Sequence, residues 1–349
     1  MSFIDARNRL TGNPGTAAET VRPGTAGVLL VNLGTPDATD TKSVRRYLSE
    51  FLSDRRVIEA NPLVWQPILK GIVLNTRPRK SAANYKRIWN TERDESPLRT
   101  YTRSQAEQLD ARFAAEAIPV EWGMRYGTPT TAAAIDRLIE RGCDRILLLP
   151  LYPQYSATTT ATANDQAFRA LMRLRRQPAL RTMPSFPDDP AYIDALAASV
   201  RRHLAELDWT PEVLIASFHG LPVEYVQRGD PYITECGRTM TALREALNMT
   251  PQELPVTFQS RFGPTRWLAP YTEPKVKKMA RAGIKRIVVL TPGFLADCIE
   301  TLDEIGNELR EAFEHAGGEK FATVPCLNDS PDAIDMLERL VRQELAGWR

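Results

Sequence analysis

Only three histidines occur in the 349 residues, and one is placed for chemistry. His219 directly follows an apolar run, residues 213–218, and precedes Gly220-Leu221-Pro222, which turns the chain away. An imidazole at a strand end can accept a proton near neutral pH or ligate a metal. The plain alternative is a structural histidine. His203 and His315 fall in amphipathic helical segments and read as solvated faces. A second set is acidic: Glu300, Glu304, Glu308 and Glu311 recur at i, i+4, i+8 and i+11, which lines one face of a helix. For Glu308 and Glu311 a solvated face accounts for the pattern. Glu300 stands in the first turn, where a helix N-terminus stabilises a carboxylate. An imidazole opposed by a carboxylate suits a hard or borderline divalent ion, or a proton relay. No HxxxH pair or histidine cluster accompanies them, so a weak, passing metal contact fits better than a structural metal.

The loops that would follow strands also carry Tyr126, Tyr152, Tyr155, Phe218, Phe262, Trp267 and Phe294. Each alone could be core. As a set at strand ends they describe a cleft for a flat, apolar ligand. Other chemistries lack support. There is no GxGxxG, no GxxxxGK[ST] and no GxSxG. Cys143, Cys236, Cys298 and Cys326 are far apart, without CxxC spacing. That disfavours a disulfide framework, a zinc ribbon or a cysteine-ligated cluster, and fits a reducing cytosol. Lys+Arg 45 against Asp+Glu 43 gives a net charge of +2, so no nucleic-acid partner is expected.

Residues with these roles need a scaffold that brings strand ends together. Apolar runs of strand length alternate with helical patterns, the sign of an α/β chain with parallel sheets. Strands are expected at residues 28–33, 120–124, 145–149, 213–218, 256–260 and 286–290, with weaker ones at 180–184 and 321–325. The second half echoes the first. Gly34 aligns with Gly220 at an offset of 186, and PVEWGMRYG from Pro119 aligns with PVTFQSRFG from Pro255 at 136. RILLL from Arg145 aligns with RIVVL from Arg286, and Thr182-Met183-Pro184 with Thr323-Val324-Pro325, both at 141. Four matches in one order imply a duplicated α/β unit. In open parallel sheets, ligands bind beyond the carboxyl ends of strands, so these motifs should share a cleft.

The drop from 186 to 136 places about 50 extra residues between Pro36 and Pro119. They hold an odd apolar segment, residues 51–74, interrupted by Pro62, Pro67 and Lys70. It is too broken to span a bilayer, so it is expected to be a partly exposed lip, Trp65 and Leu69 included, that touches a membrane surface loosely. Residues 1–26 read as a flexible tail without a signal-peptide core. The domains expected are 27–206, with the lip inserted at about 41–95, and 207–349, whose terminal helix packs on the other domain.

Together the motifs VNLGTP from Val31, LYPQYS from Leu151, SFHGLP from Ser217, RGDPY from Arg228, FQSRFGP from Phe258, WLAP from Trp267 and IETL from Ile299 resemble the ferrochelatase family. The resemblance runs from about Gly27 to the C-terminus. It implies two similar Rossmann-like domains with parallel sheets, like class II chelatases, around a porphyrin cleft. It implies insertion of ferrous iron into protoporphyrin IX to form protohaem, the terminal step of haem biosynthesis, making the chain a lyase. His219 and Glu300 match the family's catalytic, metal-handling pair, with Glu304 on an acidic path beside them. Arg125 and Tyr126 match cleft positions; Tyr155, Trp267, Phe294 and the lip residue Trp65 are the further contacts expected for the macrocycle. The lip is the part that meets porphyrin and, in many members, the membrane. Fe²⁺ is then a substrate, and no permanent cofactor is expected. No [2Fe–2S] cluster is expected either, because no cysteine follows Cys326. Cys298 stands where several members have another polar residue, often His. The expected location is the cytoplasm, peripheral on the inner face of the cell membrane. Coproporphyrin III, a sirohydrochlorin-type macrocycle, and a non-catalytic porphyrin or haem carrier are the alternatives.

Overall fold

All eight expected strands form. A computed structural model describes residues 24–348, and in it they are β1 (Thr25–Gly34), β2 (Val120–Tyr126), β3 (Cys143–Pro150), β4 (Ala179–Thr182), β5 (Val213–His219), β6 (Val256–Gln259), β7 (Arg286–Leu290) and β8 (Lys320–Thr323). They make two four-stranded sheets with the same order, β2-β1-β3-β4 and β6-β5-β7-β8, parallel throughout. Thr25 and Ala26, at the end of the expected tail, already belong to β1; residues 1–23 of that tail lie outside the described residues.

Pleating divides each sheet between two cores. Val28, Leu30, Leu147 and Leu149 from the first sheet share one core with Leu214, Ala216, Val288 and Leu290 from the second. Leu29, Val31, Ile146 and Leu148 face an outer core, as do Ile215, Ile287 and Val289 on the other side. Each fully buried aliphatic contributes roughly 1.5–3 kcal/mol. Helices Pro97–Phe113, Pro190–Glu206, Tyr232–Leu247 and Pro331–Leu345 supply most of the shared core's remaining side chains. The last of these lies on Pro97–Phe113 and Pro190–Glu206, with Arg112 paired to Asp335 (2.5 Å) and Glu338 (2.7 Å). Asp189 and Ser330 cap the equivalent helices of the two halves, each followed by a proline, an arrangement that satisfies a free amide where proline has none.

The repeat holds with one adjustment. Val28 N donates to Pro119 O (2.8 Å), whereas its equivalent Leu214 donates to Glu253 O (3.0 Å), so β6 sits two residues along from where the matched motifs would put it. An even slip keeps each side chain on its face. The counterpart of Arg125 is therefore Gln259, which pairs with His219. Arg261, the motif's own match for Arg125, is exposed beyond the strand with its guanidinium 4.9 Å from the Tyr271 ring.

The insertion forms helix Thr41–Leu52, helix Pro62–Ile68, a π-helical turn Leu69–Val73 and helix Leu74–Ile88. Half of the apolar segment is the lip's own core: Leu52, Leu69, Val73 and Leu74 pack together. Leu69, expected to be exposed, is wholly buried, because Leu69 and Val73 point inward while Ile68 and Ile72 point out. Leu63 (85% exposed), Val64 (60%) and Ile72 (61%) are the tips. Trp65 is half-buried, its indole N–H donating to Leu52 O at 2.7 Å.

Candidate active site

Both β1 and β5 end in a glycine-dependent turn. Gly34 has φ +113°, and a Cβ there would lie 1.8 Å from Tyr126 O. A Cβ on Gly220 would lie 2.7 Å from Gln259 O and 3.1 Å from the Trp267 ring. No other residue permits so close an approach. The turn presents His219, and Trp267 covers it: Val223 N donates to Arg266 O and Leu268 N to Leu221 O, both at 2.9 Å. His219 Nδ1 lies 2.6 Å from Gly220 O. A carbonyl can only accept, so Nδ1 carries the proton, and Nε2 of the neutral ring keeps its lone pair.

Glu304 is fixed at the end of the neighbouring strand, whose Gln259 pairs with His219. Ser260 offers it both backbone N–H (2.7 Å to Oε1) and Oγ–H (2.5 Å to Oε2), which its left-handed backbone at φ +63° makes possible. Ser217 Oγ donates to Gln259 Oε1 (2.7 Å), which aims the Gln259 amide N–H at Glu300 O (2.8 Å) and Glu304 Oε2 (3.4 Å). Burial raises the Glu304 carboxyl above the usual range; the Ser260 hydrogen bond and the His219 ring, in its protonated form, pull it back, and Glu300 pushes it up again. His219, Glu300 and Glu304 therefore share one electrostatic field. Glu300 is half-buried. Burial raises the Tyr85 hydroxyl, and Glu300 adds to that effect. The Cys298 thiol is likewise pushed up, by burial first and Glu300 second. Cys298 is a buried, protonated thiol among Leu98, Ala296 and Phe294.

The acidic segment differs from expectation in one respect: Glu300–Leu309 is a π-helix, and only Arg310–His315 is α-helical. Such i→i+5 winding is uncommon and concentrates at functional sites. Glu304 faces inward, while Glu308 is exposed beside Arg87 at 3.5 Å. Asp303, with its side chain 1% exposed, anchors the same arginine at 2.7 Å, so the lip helix Leu74–Ile88 is clamped onto the π-helix. The lip also roofs the second half. Arg77 lies 3.9 Å above the Phe262 ring, and Tyr225 Oη donates to Val57 O at 3.0 Å.

Arg125 and Tyr126 converge on Asp54, a residue with no sequence signal. Tyr126 Oη donates to Asp54 Oδ2 at 2.8 Å, Arg125 and Thr162 bond the same oxygen, and Arg125 Nε donates to Thr162 Oγ1 at 2.6 Å. Burial would raise the Asp54 carboxyl, but Thr162, the Arg56 amide, Tyr126 and Arg125 together hold it below its ordinary value. Tyr126 has no exposed surface; it props the lip in this arrangement. Phe218 is also withdrawn from the cleft set: alternation points it, with Leu214 and Ala216, into the shared core. Tyr155, Phe294 and Trp267 are half-buried. Tyr152 Oη and Trp267 Nε1 are buried donors without a partner among the described residues, the mark of groups awaiting a ligand or water. No group of three or more His, Cys, Asp or Glu side chains among the described residues is arranged to hold a metal.

A family model for ferrochelatase matches residues 25–345. The chain belongs to the ferrochelatase family. The ferrochelatase of Gluconobacter oxydans strain 621H is 62% identical over 349 residues, covering 100% of this chain and 99% of the relative. That of Rhizobium johnstonii is 58% identical over 329 residues, covering 94% and 96%, and that of Agrobacterium fabrum 60% over 326 residues, covering 93% and 95%. Among solved structures, SirB from Bacillus subtilis with Fe³⁺ superposes with a TM-score of 0.52 at 13% identity, covering 93% of this chain and 96% of SirB. That likeness carries the fold: two parallel-sheet α/β units of the chelatase type. Ferrochelatases insert iron into a porphyrin, the terminal step of haem biosynthesis.

Proposed function

We propose that this chain inserts Fe²⁺ into protoporphyrin IX, releasing two protons and forming protohaem, with His219 as the base. One observation carries the assignment of His219. Its Nδ1 is committed to Gly220 O, so the lone pair remains on Nε2, and the Glu300–Glu304 pair shares its field. A free-base porphyrin is planar, with protons on two of its four nitrogens. A tight apolar cleft favours a puckered macrocycle whose lone pairs turn to one face, converting binding energy into distortion along the reaction. His219 Nε2 accepts a pyrrole proton as iron arrives. Glu300 and Glu304 receive the metal or pass protons outward. Tyr155, Trp267, Phe294 and Trp65 supply apolar contact, and Asp54 holds Arg125 and Tyr126 in position.

In this reading the chain works without a resident cluster; its four cysteines are buried and free. The protein acts in the cytoplasm with the lip resting on the inner face of the membrane, a reading supported by the exposed Leu63, Val64 and Ile72. Among the described residues no helix is long and apolar enough to cross a membrane. The test is anaerobic absorbance spectroscopy of the full chain with Fe²⁺ or Zn²⁺, comparing protoporphyrin IX with coproporphyrin III. Faster metalation of coproporphyrin III reassigns the substrate. Porphyrin binding without turnover makes the chain a carrier.

A further inference from the structure

Several stretches of this chain contain no carboxylate, and two of them concern the lip and the helix beside it. Residues 60–91, most of the lip, hold Lys70, Arg77, Arg79, Lys80, Lys86 and Arg87; residues 166–187 hold Arg169, Arg173, Arg175, Arg176 and Arg181. Arg181 is engaged elsewhere, 4.6 Å over the Trp348 ring. Arg169 has only a long contact to Asp165, 3.7 Å. Among the described residues no carboxylate pairs with Arg173, Arg175 or Arg176, whereas Arg56, Arg137 and Arg141 nearby are all paired. The second stretch also exposes large apolar groups. Helix Thr162–Leu171 buries Ala163, Ala167, Ala170 and Leu171 against the outer core. Phe168 (46% exposed) and Met172 (77%), one turn apart, stand on the opposite side. That side adjoins the lip: Arg56 Nε donates to Asp165 Oδ2 at 2.8 Å. An open cavity of about 1300 Å³ between them is lined by Asn61 and Pro62 of the lip and by Asp165 and Arg169.

We propose that residues 162–176 form a second foot that docks on an anionic lipid surface beside the lip. Phe168 and Met172 enter the interface, and Arg169, Arg173, Arg175 and Arg176 contact lipid phosphates. The charge decides the partner. A second copy of the same patch would bring four arginines against four, whereas an anionic bilayer satisfies the apolar tips and the arginines at once. For the shared surface, the inference rests on the lip reading given under Proposed function. Two separated contacts on one surface make the second effectively intramolecular, so a loosely held lip becomes a firm attachment, its mouth held at the bilayer.

The experiment is co-sedimentation of the full chain with vesicles of phosphatidylcholine alone or mixed with phosphatidylglycerol, at low and high salt. Binding only to the anionic vesicles, lost at high salt, is expected. Phe168→Ser with Met172→Ser, and Arg173→Gln with Arg175→Gln and Arg176→Gln, should each weaken partitioning about tenfold or more. Zn²⁺ insertion into detergent-dispersed porphyrin should be unchanged, which separates this test from the enzymatic reading. If Leu63→Ser with Val64→Ser retains binding while the Phe168/Met172 variant loses it, the foot stands and the lip reading falls. Unchanged binding of the Phe168/Met172 or the arginine variant overturns the proposal. So does equal binding to neutral vesicles, or a dimer in gel filtration that the Phe168/Met172 variant abolishes.

Discussion

Ser260 touches neither of the residues that the chemistry singles out in the sequence, His219 and Glu300, yet it offers the sharpest test of the acidic wall. Its hydroxyl donates to Glu304 at 2.5 Å and its amide at 2.7 Å. Ser260→Ala removes the first bond and keeps the second. A hydrogen bond to a charged group contributes about 1.5–3 kcal/mol, and the loss falls on the ionised form alone. At 1.36 kcal/mol per unit, that is about one to two pH units. The sign follows from the direction of the existing shift. Burial already disfavours the carboxylate, so losing a donor makes ionisation harder still, and a step that needs the carboxylate fails at a higher pH than before. The acid limb of kcat in Zn²⁺ insertion should therefore move upward, with the alkaline limb and porphyrin affinity unchanged. Rescue at high pH separates this effect from misfolding. An acid limb that stays in place, with kcat unchanged across the profile, would refute the part given to Glu304.

His219→Ala should abolish metal insertion while leaving the melting temperature near that of the parent, because the ring makes one local hydrogen bond; near-parental turnover at saturating metal removes it as base. Glu300→Gln, Glu304→Gln and Glu308→Gln should give losses that decline in that order, since Glu308 is exposed beside Arg87; equal losses would indicate a bulk charge effect. Asp54→Ala strands the buried Arg125 guanidinium, which should cost about 3–5 kcal/mol in denaturant unfolding. Asp54→Asn should cost less, and equal costs would assign the loss to packing.

Strand identity was readable because these strands are covered on both faces: runs such as Ile146 to Leu149 are apolar without interruption. Their pairing was readable only in part. The PVEWGMRYG and PVTFQSRFG motifs match letter for letter in places, but register is set by hydrogen bonds to β1 and β5, and a two-residue slip changes no face. His219 was legible because a polar ring ends an apolar strand. Asp54 was not, since nothing local marks a carboxylate whose side-chain partners lie 71 to 108 positions away. The glutamates at four-residue spacing suit an α-helix and a π-helix almost equally. The lip's inward side was hidden for another reason: Ile68 and Leu69 are chemically alike, and only tertiary packing decides which one faces out.

The placement of helix Pro331–Leu345 on the first half has a consequence for how the protein is made. Leu109 and Phe113 belong to the core that this helix completes. A ribosome adds about 5–20 residues per second, so those side chains emerge tens of seconds before their cover exists. The first half cannot complete this core during synthesis until helix Pro331–Leu345 is available to cover it. Contacts between residues so distant in sequence fold slowly and leave apolar surface open meanwhile. A nascent chain stalled between residues 324 and 331 would be a substrate for chaperones, even though every strand of both sheets had already been synthesised.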